Sequence, residues 1–510
     1  MTSERGRGHR VSGIPEHCES WSSELGAHWR WWLPIAALLL FVLGASAPLA
    51  DMDLPMHLAT GAWIFRHHAV PFVEPFAWTR SGAPYYAYSW LPELLYYLLY
   101  AHVGALGLRV FHGLTFVAGG ASVLWLARVA GWRAWSALYL IFLSLLPTIL
   151  IAAYLRPQAL LFPLVVLAWA AGLRVLDSKN PARWIAALIV IASLAANSHL
   201  LFPLTALPAA IALTRAPTPW KRGGMIAVAL LAGWAISPYA LSWPSVFHLY
   251  FQRNAMLDFP SGIQEFTPGF TFARVSPICF ILVILLAAVP WVLRDADTTP
   301  RERLIFGLMW FAGMFAFALV GRALLVWWFA SLPALVHLIR RIPQLQRGFQ
   351  RRLALAAMAS LPLVMSFGLA WHSDSFGGDL STPARRSVES LVTWLDTHAH
   401  PSGHPKVLTV FNYGSYLTWR LPAYSMSVDG RAIFPDSAAA PDAYRVAKDG
   451  PFPLGPWRFA DVAIVPLSYP VARVLDSAPD WERVDSAPAS PLSKSGSGLW
   501  VRRSWRMNSR

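Results

Sequence analysis

The chain has 510 residues, of which 56% are hydrophobic and only 14% charged, with a formal net charge of +15 and an isoelectric point near 10.1. A soluble domain carries about 25% charged residues, so this composition excludes an ordinary soluble enzyme and points to a bilayer. The basic excess sits in short loops between apolar runs, with no basic helix or aromatic-interleaved patch, which excludes nucleic acid as the partner.

The tail 1–30 is polar, and the first apolar run covers Trp32–Leu49. Ala47–Ala50 faintly resembles a cleavage site, but the tail is long for a signal peptide and many spans follow, so an uncleaved anchor is expected. Further spans are read near 106–127, 134–153, 157–173, 184–196, 199–213, 224–236, 276–293, 304–320, 323–339 and 353–371. The segment Trp90–Tyr100 contains Pro92 and Glu93 and is rich in tyrosine, which favours a helix lying at the interface.

Loop charge orients these spans. With Trp90–Tyr100 interfacial and the tail in the cytoplasm, Arg128, Arg133, Arg174, Lys179, Arg215 and Lys221 fall in cytoplasmic loops, as do the arginines of 294–303 and 340–352. The opposite face keeps few. The bias favours about eleven spans, with a cytoplasmic N-terminus and an external C-terminus.

Past Trp371 the composition turns mixed. A helical pattern over Ala384–His398 is followed by strand-like stretches at Lys406–Phe411, Tyr424–Arg431, Asp461–Leu467 and Gly498–Arg503, which suggests a small α/β domain. The chain thus divides into the tail 1–30, an all-α polytopic membrane domain 31–372 with a large first external loop 51–105, and an extracytoplasmic α/β domain 373–510. Cys18 and Cys279 support neither a disulfide framework nor a thiolate metal site.

Polar span-end residues gather on the external face: Asp51, Asp53 and His57; "YLRPQ" with Arg156; "NSH" with His199; "SPY" at 237–239; "QEFTP" at 264–268; and "GR" with Arg322. Each has a plainer explanation as a cap, a snorkelling arginine or helix-end punctuation. As a set they suggest a site, because ionisable groups near membrane depth are costly. Asp51 and Asp53 can deprotonate a hydroxyl or hold a divalent cation such as Mg or Mn. Arg156 and Arg322 can clamp a phosphate, with His57 and His199 adding donors. A carboxylate base opposite a phosphate clamp describes transfer of a phosphate-activated group to an acceptor hydroxyl.

The first loop, "DMDLPMHLATGAWIFRHHAVPFVEPFAWTRSGAPYYAYSWLPELLYYLL" (Asp51–Leu99), resembles that of bacterial membrane proteins with the GT-C glycosyltransferase fold, the protein mannosyltransferase and aminoarabinose transferase relatives. The likeness extends through "LRPQ", "NSH", "SPY", "GR", "NYGSYL" (Asn412–Leu417) and "VDGR" (Val428–Arg431). Where these relatives usually place aromatic residues just before the histidine, this chain has Pro55 and Met56. The resemblance implies a polyprenyl-phosphate sugar donor, a catalytic carboxylate at Asp51 or Asp53, and a place in the bacterial inner membrane among its lipids. The expected function is sugar transfer to an external hydroxyl in cell-envelope glycan or glycolipid modification. The rivals are a transporter or flippase of a lipid-linked or anionic solute, and a non-catalytic scaffold of the same fold. "DGR" could bind an acceptor, but a strand-end turn with a local Asp429–Arg431 pair is the favoured reading, and Tyr416 and Trp419 are expected to pack rather than stack on sugar.

Overall fold

The computed structural model describes residues 29–46, 51–132, 155–214, 220–251, 277–294, 298–345, 382–399, 403–431, 459–490 and 492–508, with isolated positions between them. The N-terminal part is helical. Among the described residues, Ala105–Val129, Gln158–Asp177 and Pro300–Leu319 are long and apolar enough to cross a membrane. A fourth span results if Trp220–Ala235 and Ala240–Tyr250, bent by 102° at their break, count as one.

This number falls well short of the expected eleven or so, for two reasons. The stretches expected at 134–153 and 353–371 lie largely or wholly outside the described residues. Others form shorter apolar helices: Leu33–Ala45, Ala182–Ala196, Phe202–Thr214, Leu282–Trp291 and Leu324–Val336. Pro34 lies inside the first helix, and the helix of the seventh expected span, near 224–236, ends at Ala235 just before the proline of "ISPY".

The first loop is itself structured. Helix α1 (Leu54–His67) packs against helix α2 (Trp90–Val103). Their closest approach is at Gly61, where a Cβ would fall 2.1 Å from the carbonyl oxygen of Glu93. Apolar residues Leu54, Leu58, Tyr96 and Leu108 then join Leu155 in one buried cluster. The interfacial expectation for Trp90–Tyr100 agrees with the geometry to this extent: α2 has 14 residues. At about 1.5 Å per residue that is too short for a hydrocarbon core of about 30 Å.

The C-terminal part is an α/β domain, as expected, although the 372/373 boundary lies outside the described residues. Among the described residues five strands, β1 (Lys406–Thr409), β2 (Ser425–Met426), β3 (Val462–Pro466), β4 (Trp481–Ala487) and β5 (Ser497–Arg502), form a sheet of order β2-β1-β3-β5-β4. β1 is parallel to β2 and β3, whereas β5 is antiparallel to β3 and β4. The central strand β3 is buried along its whole length because both faces are covered. Val462 and Ile464 face helices α3 (Pro383–His398) and α4 (Phe411–Arg420), while Ala463 and Val465 face α5 (Pro470–Ser477).

Two details differ from expectation. The strand begun at Lys406 ends at Thr409, and Phe411 already starts a helix. β4 was not anticipated: "WERVDSA" lacks apolar alternation because it is the charged outer strand of the sheet. At the other edge, β2 is covered by the first loop. Ala77 bridges Met426, the Met426 N–H donates to Phe76 O at 3.0 Å, and Thr79 Oγ1 donates to Ser427 O at 2.6 Å. The first loop therefore joins the membrane domain to the α/β domain.

Candidate functional site

Asp51 and Asp53 stand immediately before α1, with Asp53 at its N-cap position. Asp53 does not cap the helix with its side chain. Arg156 claims both carboxylates. Its Nε donates to Asp51 Oδ2 at 2.8 Å and its Nη2 to Asp51 Oδ1 at 3.0 Å, while Nη2 also lies 3.2 Å from Asp53 Oδ2. Arg156 is positioned by its neighbours. Leu155 is buried beside Leu54, and Pro157 opens the following helix, its carbonyl accepting from Leu160 N–H.

The two carboxylates differ in access. The Asp51 side chain is 3% exposed and held bidentately, whereas that of Asp53 is 31% exposed. Asp51 thus orients the guanidinium, and Asp53 is the carboxylate that an incoming group can reach. The guanidinium fork expected to clamp a phosphate is directed at carboxylates.

His57 lies one turn into α1, where its Nδ1–H donates to Glu93 Oε1 at 2.8 Å. Burial works against the imidazolium, but the Glu93 hydrogen bond and charge, with Asp53 and Asp51 nearby, raise its pKa above the ordinary 6.5. The cluster therefore contains one guanidinium, one readily protonated imidazole and three carboxylates. Glu93 was not singled out as a site residue from the sequence.

The other expected residues sort differently. His199 is buried, its Nδ1 accepting from Leu201 N–H at 3.1 Å, and its ring meets Tyr88 of the first loop edge-on. Asn197 of "NSH" secures α2: its Oδ1 accepts from Trp90 Nε1–H at 2.8 Å and its carbonyl from Leu91 N–H at 3.2 Å. Tyr239 of "SPY" does similar work, its hydroxyl donating to Pro71 O at 2.9 Å and accepting from Ala87 N–H at 3.1 Å. Arg322 lies on the short turn Gly321–Ala323, but its side chain is outside the described residues, as is all of "QEFTP". Trp419 packs against Tyr97 and Tyr100, and Tyr416 is buried with its hydroxyl on Glu389, so both pack as expected.

The local Asp429–Arg431 pair is present, with Arg431 Nε donating to Asp429 Oδ1 at 2.8 Å. Its reach is longer than expected: Arg431 Nη2 also donates to Glu74 Oε1 at 2.6 Å. The chemistry of Glu74 had given no signal, because an isolated glutamate in a loop reads as solvated.

A divalent cation between Asp51 and Asp53 would have to share both carboxylates with the Arg156 fork. Among the described residues, no group of three or more His, Cys, Asp or Glu side chains is arranged to hold such an ion. The donor set fits a guanidinium better than a metal.

No protein-family model and no curated protein matches the chain. Solved structures do. ArnT from Cupriavidus metallidurans, bound to undecaprenyl phosphate, superposes with a TM-score of 0.58 over 93% of this chain and 98% of its own, at 12% identity. The apo oligosaccharyltransferase of Archaeoglobus fulgidus gives 0.60 over 87% of this chain and 70% of its own, also at 12% identity. The mycobacterial arabinofuranosyltransferase AftD gives 0.56 at 17% identity over 92% of this chain, which spans 41% of AftD. The chain has the GT-C fold shared by these membrane glycosyltransferases.

Proposed function

We propose that the protein is a membrane glycosyltransferase that moves a sugar from a polyprenyl-phosphate donor to an extracytoplasmic acceptor hydroxyl, with inversion at the anomeric carbon. The observation that carries this reading is the bridge from Arg156 to buried Asp51 and partly exposed Asp53. The GT-C fold supports it, and ArnT, whose structure holds undecaprenyl phosphate, supports the donor class.

In this reading Asp53 accepts the acceptor's hydroxyl proton as its oxygen bonds to the anomeric carbon. The bond from that carbon to the phosphate oxygen breaks, and polyprenyl phosphate departs with the electron pair. Asp51 acts through Arg156, whose fixed charge lies against Asp53 and attracts the donor phosphate to the same edge. His57, His199 and Arg322 are assigned to donor binding. No step is routed through a metal.

The setting is the bacterial inner membrane, with about eleven spans, a cytoplasmic N-terminus and the α/β domain outside. The product is a modified cell-envelope glycan or glycolipid. The test is a transfer assay with purified protein in lipid nanodiscs and a panel of labelled undecaprenyl-phosphate sugars. Release of undecaprenyl phosphate by the wild type, but not by Asp53→Asn, is expected. Full activity of Asp53→Asn would overturn the assignment.

A further inference from the structure

The turn Asp429–Gly430–Arg431 belongs to the α/β domain but is anchored in the first loop. Arg431 Nη2 reaches Glu74 across 357 positions of chain. The Glu74 side chain is 0% exposed, and its Oε1 also accepts from the N–H groups of Phe76 and Ala77 at 2.9 and 3.1 Å. The Arg431 guanidinium lies 4.4 Å from the ring centre of Tyr85 and 5.2 Å from that of Phe76. Such an ion pair tolerates little displacement, because moving either partner leaves a buried charge uncompensated.

This anchor brings Gly430 to Asp53. A Cβ at position 430 would lie 3.4 Å from Asp53 Oδ1 and 2.3 Å from Ser415 Oγ, and the Gly430 N–H donates to that same Oγ at 3.0 Å. From behind, helix α4 supports the turn at Gly414, where a Cβ would fall 2.1 Å from Val428 O. The Oδ2 edge of Asp53 meets Arg156, and its Oδ1 edge meets a backbone turn of the other domain.

We propose that Arg431 and Glu74 are positioning residues that hold Gly430 against Asp53, so that the α/β domain forms one wall of the site and limits which acceptors reach the carboxylate. The acceptor role rests on the transferase reading; the position of the wall does not. Glycine at 430 lets the turn pack this closely on helix α4, since a Cβ there would have to displace Ser415.

The test uses the full chain in nanodiscs with Cys18→Ser and Cys279→Ser, and Asp53→Cys as reporter. Its reaction with the membrane-impermeant thiol reagent sulfonatoethyl methanethiosulfonate is timed. Glu74→Gln or Arg431→Gln should raise the rate about tenfold by releasing the turn. Arg431→Lys, which keeps the charge but loses the fork, should fall between and serves if the other variants do not fold. An unchanged rate in folded variants overturns the proposal.

The second arm keeps Asp53 and uses glycerol and octyl glucoside as surrogate acceptors with the undecaprenyl-phosphate sugars. Glu74→Gln should raise turnover of the larger acceptor relative to the smaller. Faster labelling without a change in that ratio overturns the acceptor-limiting role. Faster labelling with no transfer by any form leaves the wall in place and removes the transferase reading.

Discussion

Arg156 and Asp51, 105 positions apart, meet as a fork on a carboxylate, with two N–H···O bonds of 2.8 and 3.0 Å. The pair fixes the guanidinium so that its Nη2 also touches Asp53. Arg156→Lys replaces the planar fork by a point charge and cannot span both carboxylates in the same way. Transfer should fall about 10²–10³-fold, as when a preorganised donor is lost, and Asp53→Asn should abolish it with the membrane fold intact. Turnover in the nanodisc assay, with size-exclusion profiles as the folding check, decides both.

The same fork sets the expectation for metals. Because Arg156 already compensates Asp51 and Asp53, transfer should persist in EDTA. Loss of activity in EDTA with recovery in Mg or Mn would show that an ion displaces the guanidinium during turnover.

Gly61 tests the packing that carries His57 and Glu93. A methyl group there would sit 2.1 Å from Glu93 O, a backbone atom that cannot rotate away. Gly61→Ala must separate α1 from α2, at a cost of about 1–3 kcal/mol. A lowered thermal midpoint in detergent, with weakened transfer, is expected; an unchanged midpoint would refute the close approach.

The topology is testable with single cysteines. His57→Cys should react with an impermeant thiol reagent applied from outside, and Ser178→Cys only from the cytoplasmic side. Labelling of position 57 from the cytoplasm would invert the assignment.

What could be read from the sequence follows the range of each interaction. Asp51 and Asp53 are adjacent to a span end, and their types announced a site without any contact being known. The Asp429–Arg431 pair was legible because its partners are two residues apart. Glu93 and Glu74 were missed as site residues because their partners lie 36 and 357 positions away, where no periodicity carries a signal. "NSH" and "SPY" carry polar site candidates, and the structure shows Asn197 and Tyr239 also hydrogen-bonded to the first loop. A polar residue at a span end looks the same in sequence whether it binds a ligand or a neighbouring backbone. Among the described residues fewer helices are long enough to span than the hydropathy reading expects, since hydropathy does not reveal where a helix breaks.

The His57–Glu93 pair gives the protein a definite pH dependence. Burial lowers the histidine's tendency to protonate, but the hydrogen bond and charge of Glu93, aided by Asp53 and Asp51, outweigh it and raise its pKa above 6.5. The folded state therefore binds the proton more tightly than the unfolded state does. The stabilisation is fully present below the unfolded value and is lost as pH rises through the raised folded value. Glu93→Gln removes the main favourable partner, so the stability gap between wild type and variant should be wide at about pH 6 and narrow at about pH 9. Thermal midpoints of both proteins in the same detergent across that range measure the gap. A gap that widens with pH would mean that the bond is held by neutral imidazole, and the charge assignment at the start of α1 would fail.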